Sequence, residues 1–262
     1  EKLLSGDFGS EFETFFADRF PQRNTWVGLN AYTALAEGNN GASGVYNCKN
    51  GYLINKPVST ENNLDKNIGA VADFAKSIDT PTTVMLVPST GYIVDDVLPT
   101  FHDKYNDDED ISKISSTLSK DKIGFVDLRE RFKSEYKNGS QLYYKTDHHW
   151  TTKGAYTGYQ ELCKALGITP IDDSTLKKDS YPDFYGTTYS SSGFWLTPPD
   201  NIEIWSNPNN SSKNISVKIT EGANIKTSGS MYFTDHLKED DKYPVFIDGN
   251  HALTEITNTN AK

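Results

Sequence analysis

The sequence predicts an α/β fold in which helices sandwich a central, mostly parallel sheet in three layers, followed by a loop- and strand-rich C-terminal elaboration. Three observations predict it. Residues 82–89, TTVMLVPS, form the continuous apolar run typical of a strand buried on both faces. Helical and strand patterns then alternate: a helix near residues 110–119, the strand IGFVDL and a short helix ending near Tyr136. Beyond Ile171, Ser, Asn, Pro and Gly become frequent, and short strands such as NIEIW and ISVKI appear. One domain over residues 1–262 is expected, with residues 170–240 as its elaboration or small lobe.

Taken in order, residues 11–38 predict two helical pieces broken at Pro21. Phe12, Phe15, Phe16 and Phe20 recur at helical spacing, and Trp26, Leu29, Tyr32, Ala34 and Leu35 follow. SGVYNCKNGYLINKP reads as a hairpin, with residues 45–48 and 52–54 around the turn pair Asn50-Gly51. Thr60 is placed to N-cap a helix running to about Ile78, with Leu64, Ile68, Val71, Ala72 and Ala75 inward. The clearest helix spans residues 151–166. Ala155, Tyr156, Tyr159, Leu162, Cys163 and Leu166 form its apolar stripe, and Gly167 suits its C′ position.

Composition narrows the function classes. Hydrophobic residues make up 35% of the chain and aromatics 12%, enough for an ordered core rather than disorder. A net charge of −10 with no basic block argues against nucleic acid as a partner, because phosphates would be repelled. No stretch approaches the ~20 apolar residues of a membrane span, and the N-terminal residues carry no signal-peptide pattern, so any leader is expected to have been removed. Cys48 and Cys163 have no metal-ligand spacing; they allow one disulfide or two buried thiols, and the place of Cys163 on a helical stripe favours thiols. The acidic run at residues 107–110 reads as a solvated loop.

The chemistry-bearing segment is TDHHWT, residues 146–151. A histidine acting as general base needs a partner that fixes its tautomer and steadies the imidazolium. Asp147 and His149 have the D-x-H spacing that supplies one locally. The N-terminal end of the following helix disfavours imidazolium and Asp147 favours it, so the two influences oppose. Two plainer readings stand beside this one: Asp147 or Thr151 caps the helix with both histidines solvated, or Asp147, His148 and His149 hold a metal. Trp195 and Trp205, in the loop-rich half, either pack a small core or stack on sugar faces.

The segment YYKTDHHWTTKGAYTGYQELCKALGI strongly resembles the signature of the DHHW proteins, bacterial extracytoplasmic proteins similar to the alginate and cell-wall polysaccharide O-acetylation proteins of the SGNH-hydrolase-like superfamily. FFADRFPQRNTWVGLN, GVYNCKNGYLI, VMLVPSTGYIVDDVLP and DFYGTTYSSSG extend the resemblance over most of the chain. It implies an SGNH-hydrolase-like fold with Asp147 as orienting acid and His149 as base of an Asp–His–Ser triad. Tyr144, His148 and Trp150 become accessory residues with packing or substrate-side roles. It also implies a polysaccharide or acyl-sugar substrate, a membrane acyl-donor protein as partner, no cofactor or metal, and a secreted or cell-surface location.

The family's serine resembles a D-S-Y motif that follows a late strand. Here YPVFIDGNHALTEI runs to Lys262 about where that strand should begin, so the nucleophile is expected beyond Lys262. Ser89, Ser230 and the SGDFGS segment lack its context. The expected activity is O-acetyl transfer or acetyl-ester hydrolysis; the alternative is a non-catalytic glycan-binding or scaffold module of an acetylation complex.

Overall fold

The computed structural model describes residues 21–58 and 63–260. The four phenylalanines of residues 11–20, the SGDFGS segment and Thr60 lie outside the described residues. α1 (Arg23–Ala36) begins two residues after Pro21 and buries Gly28 and Ala31, whereas Trp26 and Leu29 are exposed, contrary to the apolar face read for them. β1 (Gly41–Ala42), β2 (Val45–Asn47) and β3 (Leu53–Asn55) form an antiparallel sheet in the order β1-β2-β3. Its β2–β3 turn places Asn50 and Gly51 at φ 58° and 77°, the left-handed geometry that this residue pair tolerates.

α2 (Leu64–Ser77) buries Ile68 and Ala72, while Val71 faces outward. β4 (Thr83–Leu86) leads through the short α3 (Thr90–Ile93) to α4 (Asp107–Lys120), then to β5 (Gly124–Asp127) and α5 (Arg129–Lys137). β4 and β5 pair in parallel, as a strand–helix–strand crossover requires. The acidic run is not a loop. Its four carboxylates occupy the first turn of α4, where the helix dipole favours negative charge.

α6 (Thr152–Leu166) has the predicted ends. Thr151 Oγ accepts the Gly154 N–H at 3.1 Å, and Gly167 closes the helix at φ 67°. Its buried face includes Gly154, Tyr156, Thr157, Gly158 and Cys163, whereas Leu166 is half exposed. β6 (Lys177–Phe184), α7 (Thr187–Ser192) and β7 (Asp200–Ser206) follow, with β6 and β7 antiparallel across a bulge between Tyr181 and Phe184. β8 (Ile215–Glu221), β9 (Asn224–Ser228) and β10 (Leu253–Asn258) close the described chain as an antiparallel sheet in the order β10-β8-β9.

The sheets are small and mixed, and the expected mostly parallel central sheet is not found among the described residues. Among the described residues the only parallel pair is β4–β5. The physical reason lies in residues 83–86, all of which are partly exposed rather than buried on both faces. The remaining neighbours pair antiparallel. Cys48 and Cys163 are both buried free thiols, and burial pushes the Cys48 thiol up to about 12.

Two of the apolar cores meet at residues 142–144. Leu142 and Tyr143 join Tyr46, Ile54, Leu128 and Phe132; Tyr144 turns into a second cluster with Phe184, Ile202 and Val245. The segment leading to the candidate site is thereby fixed by packing on both sides.

Candidate active site

Residues 142–151 form a tight excursion between α5 and α6. Tyr143 and Trp150 bridge antiparallel, Thr151 N–H donates to the Leu142 carbonyl at 2.8 Å, and Tyr144 N–H donates to the His149 carbonyl at 3.2 Å. The Asp200 carboxylate, at the start of β7, accepts Lys145 N–H at 3.1 Å, Thr146 N–H at 2.8 Å, the Thr146 hydroxyl at 2.7 Å and Gln141 Nε2 at 2.9 Å. One buried carboxylate thus satisfies four donors of the excursion, which would otherwise cost the desolvation of each.

At the tip, the Asp147 side chain is 1% exposed. Oδ1 accepts the backbone N–H of His149 at 2.8 Å and its ring Nδ1–H at 2.5 Å; Oδ2 accepts the Thr187 N–H at 2.7 Å and hydroxyl at 3.1 Å. Burial alone would raise the carboxyl, but the His149 and Thr187 hydrogen bonds outweigh it and hold Asp147 down at about 2. Gly186 makes this approach possible: a Cβ there would lie 2.2 Å from Asp147 Cβ and Oδ2.

Because His149 gives its Nδ1 proton to Asp147, its Nε2 carries the lone pair when the ring is neutral. Among the described residues no group is hydrogen-bonded to that nitrogen. The His149 ring lies between two others, with centroids 3.9 Å from His148 and 3.9 Å from Tyr243, the latter stacked at 13°. Burial and the adjacent His149 keep His148 below the usual histidine range. The Thr187 hydroxyl proton goes to Asp147, so His148 Nδ1–H donates to Thr187 Oγ at 2.6 Å. Burial and the Asp147 charge push the Tyr243 phenol up to about 12, leaving a neutral ring over His149.

The other residues singled out from sequence separate clearly. Trp150 packs into the core against Phe132, its indole lying over Gly158, where a Cβ would come within 3.0 Å. Tyr144 is buried edge-on to Phe184 at 4.9 Å. Trp195, 41% exposed, lines a cavity of about 720 Å³ together with Tyr185, Tyr189, Gly186 and Thr187. Trp205 lines two different cavities and donates its indole N–H to Glu203 at 2.9 Å, so the two tryptophans do not share a surface. Ser89 donates its hydroxyl to Asp107 at 2.6 Å, holding the turn after β4 to α4. Ser230 donates its hydroxyl to the Tyr232 carbonyl at 3.1 Å in an exposed turn.

Donor atoms of Asp147, His148 and His149 lie within 4.8 Å of one another, as a metal site would need. Yet both Asp147 oxygens and the Nδ1 atoms of both histidines are already engaged in the network just described, leaving each ring only Nε2. The donor set fits an oriented imidazole better than a bound ion.

Thr187, Gly186, Asp200 and Tyr243 escaped sequence reading as site residues. The first two fall in the DFYGTTYSSSG segment, whose resemblance to the DHHW proteins was the available signal; Asp200 and Tyr243 carry none.

Residues 53–182 match the profile of the SGNH hydrolase-like domain of the acetyltransferase AlgX. No curated protein matches the chain. Among solved structures, a DHHW family protein from Eubacterium siraeum superposes with a TM-score of 0.65 at 18% identity, covering 83% of this chain and 72% of its own. Bacillus cereus PatB1, solved with a sulfonyl adduct, gives 0.66 at 18% identity over 82% and 74%. The O-acetyltransferase domain of Pseudomonas putida AlgJ gives 0.52 at 16% identity over 64% and 67%. The matched profile contains Asp147 and His149 and stops short of Gly186, Asp200 and Tyr243. Residues 53–182 are thus similar to the SGNH hydrolase-like domain of AlgX, and the solved structures share the fold.

Proposed function

We propose that Asp147 and His149 are the acid–base pair of an acyl-transfer site acting on extracellular or cell-wall polysaccharide, as an O-acetyltransferase or acetylesterase. The observation that carries this reading is the fixed tautomer of His149, whose Nδ1–H is held by Asp147 while Nε2 remains unengaged. The similarity to AlgX, PatB1 and AlgJ supports polysaccharide O-acetylation as the general setting.

In the mechanism, Nε2 takes the proton of a serine hydroxyl as its oxygen adds to the acyl carbonyl. Asp147 stabilises the resulting imidazolium, and the Tyr243 ring face covers it, an arrangement favourable to a cation. The imidazolium then protonates the leaving oxygen and an acyl-serine remains. A sugar hydroxyl or water, deprotonated by Nε2, attacks that ester and restores the serine. The resemblance to the DHHW proteins assigns that serine to a D-S-Y motif after a late strand. Trp195, with Tyr185 and Tyr189, offers the sugar-stacking surface beside Thr187; Trp205 is assigned a lesser stacking role on its separate surface. An extracytoplasmic location and a membrane acyl-donor protein complete the reading, and both rest on the same resemblance.

A second reading, a non-catalytic glycan-binding or scaffold module, is favoured by one observation: no serine among the described residues is hydrogen-bonded to His149. The deciding assay follows acetate release from an activated acetyl ester by the natural full-length protein. His149→Ala should lower turnover at least ~100-fold with the fold retained; unchanged turnover would remove the pair from the mechanism.

A further inference from the structure

The 720 Å³ cavity beside the Asp147 clamp has a chemical bias. One part of its wall is aromatic: Tyr185 and Tyr189 pair with centroids 4.2 Å apart, and Trp195 is propped by Tyr32 at 5.5 Å. The rim is acidic: Asp183, Glu239, Asp240 and Asp241 face a single cation, Lys242. That cation offsets one of the four charges and is held at the rim, its Nζ donating to the carbonyl of Asp183 at 2.7 Å and of Pro182 at 3.3 Å. Glu239 is paired with His236 at 2.8 Å, and Asp241 accepts the Tyr243 N–H at 3.1 Å. Among the described residues, neither Asp183 nor Asp240 has an ion-pair or hydrogen-bond partner for its carboxylate.

We infer that this cavity is the acceptor groove of the site and selects an amine-bearing sugar chain, a polymer of de-N-acetylated hexosamine, over polyuronate. The inference rests on the acyl-transfer reading for its role and on the groove's own chemistry for its selectivity. Aromatic faces take the apolar faces of pyranose rings regardless of charge. The carboxylate rim then decides among polymers: it attracts ammonium groups, is indifferent to neutral acetamides and repels carboxylates. Gly186 and Thr187 belong both to the cavity wall and to the clamp on Asp147, so the cavity adjoins the pair on the Asp147 side, although neither Asp147 nor His149 lines it.

The test is calorimetric titration of the chain with three hexasaccharides: glucosamine, N-acetylglucosamine and a uronic acid. The glucosamine oligomer should bind tightest, weaken with added salt and outcompete the acetylated form, while the uronate should not bind. Asp240→Asn with Asp241→Asn should weaken the amine oligomer by about two- to thirty-fold, from ~0.2–1 kcal/mol per exposed charge, and leave the acetylated one unchanged. Trp195→Ala should weaken both. Uronate binding as tight as glucosamine, failure of glucosamine to bind, or insensitivity to the paired Asp→Asn change overturns the inference. Turnover of a small activated ester is measured separately. Binding lost with turnover retained strikes only the groove assignment, and turnover lost with binding retained strikes only the acyl-transfer reading.

Discussion

Replacing Asp147 with alanine removes a carboxylate on which four donors converge. Two of them, the backbone N–H groups of His149 and Thr187, cannot turn elsewhere, and an unsatisfied buried donor costs ~1–3 kcal/mol, so Asp147→Ala should destabilise the fold by about 2–6 kcal/mol. Part of that loss is electrostatic and can be isolated by pH. The Asp147 carboxyl falls from 3.8 to about 2 on folding, worth about 2 kcal/mol at ~1.4 kcal/mol per unit. The folded value is the lower one, so this contribution is complete above pH 3.8 and is lost as pH falls towards 2. Urea titrations of wild type and variant should therefore converge by about 2 kcal/mol over that interval. Imidazole nitrogen NMR supplies the second readout: neutral His149 should carry its proton on Nδ1 in wild type, and its Nε2–H form should become the major one in the variant. A stability loss below ~1 kcal/mol, parallel acid profiles or an unchanged tautomer would refute the reasoning.

Three further outcomes follow from contacts around that carboxylate. Gly186→Ala drives a Cβ into Asp147 and should cost about 1–3 kcal/mol by thermal or urea unfolding; a neutral result would show that the clamp is not tight. Tyr243→Leu removes the stacked ring and should cost about 0.5–1.5 kcal/mol beyond the area it buries, whereas Tyr243→Phe keeps the stack; equal losses would contradict the ring's role. Thr187→Val deletes the hydroxyl that links His148 to Asp147 and keeps the backbone donor. It should release His148 from its Nδ1–H tautomer while leaving His149 unchanged, as read by the same NMR experiment.

How much of this was legible in the sequence depended on the range of the contact. α6 was readable at both ends because Thr151 and Gly167 act within one helical turn. The β2–β3 turn was readable because Asn50-Gly51 determines its geometry locally. The Asp147–His149 pair was readable for the same reason: a D-x-H spacing lets one carboxylate oxygen meet both the backbone and the ring N–H of the same residue. The groups that make the pair rigid come from 40 to 55 residues away, in the cases of Thr187 and Asp200, and no periodicity or spacing announces them. Tyr243 is still more distant, in a stretch whose pattern gives only a short turn. The parallel sheet was not confirmed because an apolar run shows that a strand forms but not how many neighbours it finds; among the described residues, 83–86 find one. DDED was misread because acidic residues suit a solvated loop and a helix's first turn equally well.

The proposed acyl transfer requires that His149, held by Asp147, activate a serine that carries the acyl group. The most direct measurement is acid-quenched peptide mass spectrometry of the natural full-length protein after a short exposure to an activated acetyl ester. One serine should carry an acetyl group in wild type, and that serine should carry no label in His149→Ala. Equal labelling in both proteins, or no acetyl-serine in a wild type that turns the ester over, would contradict it.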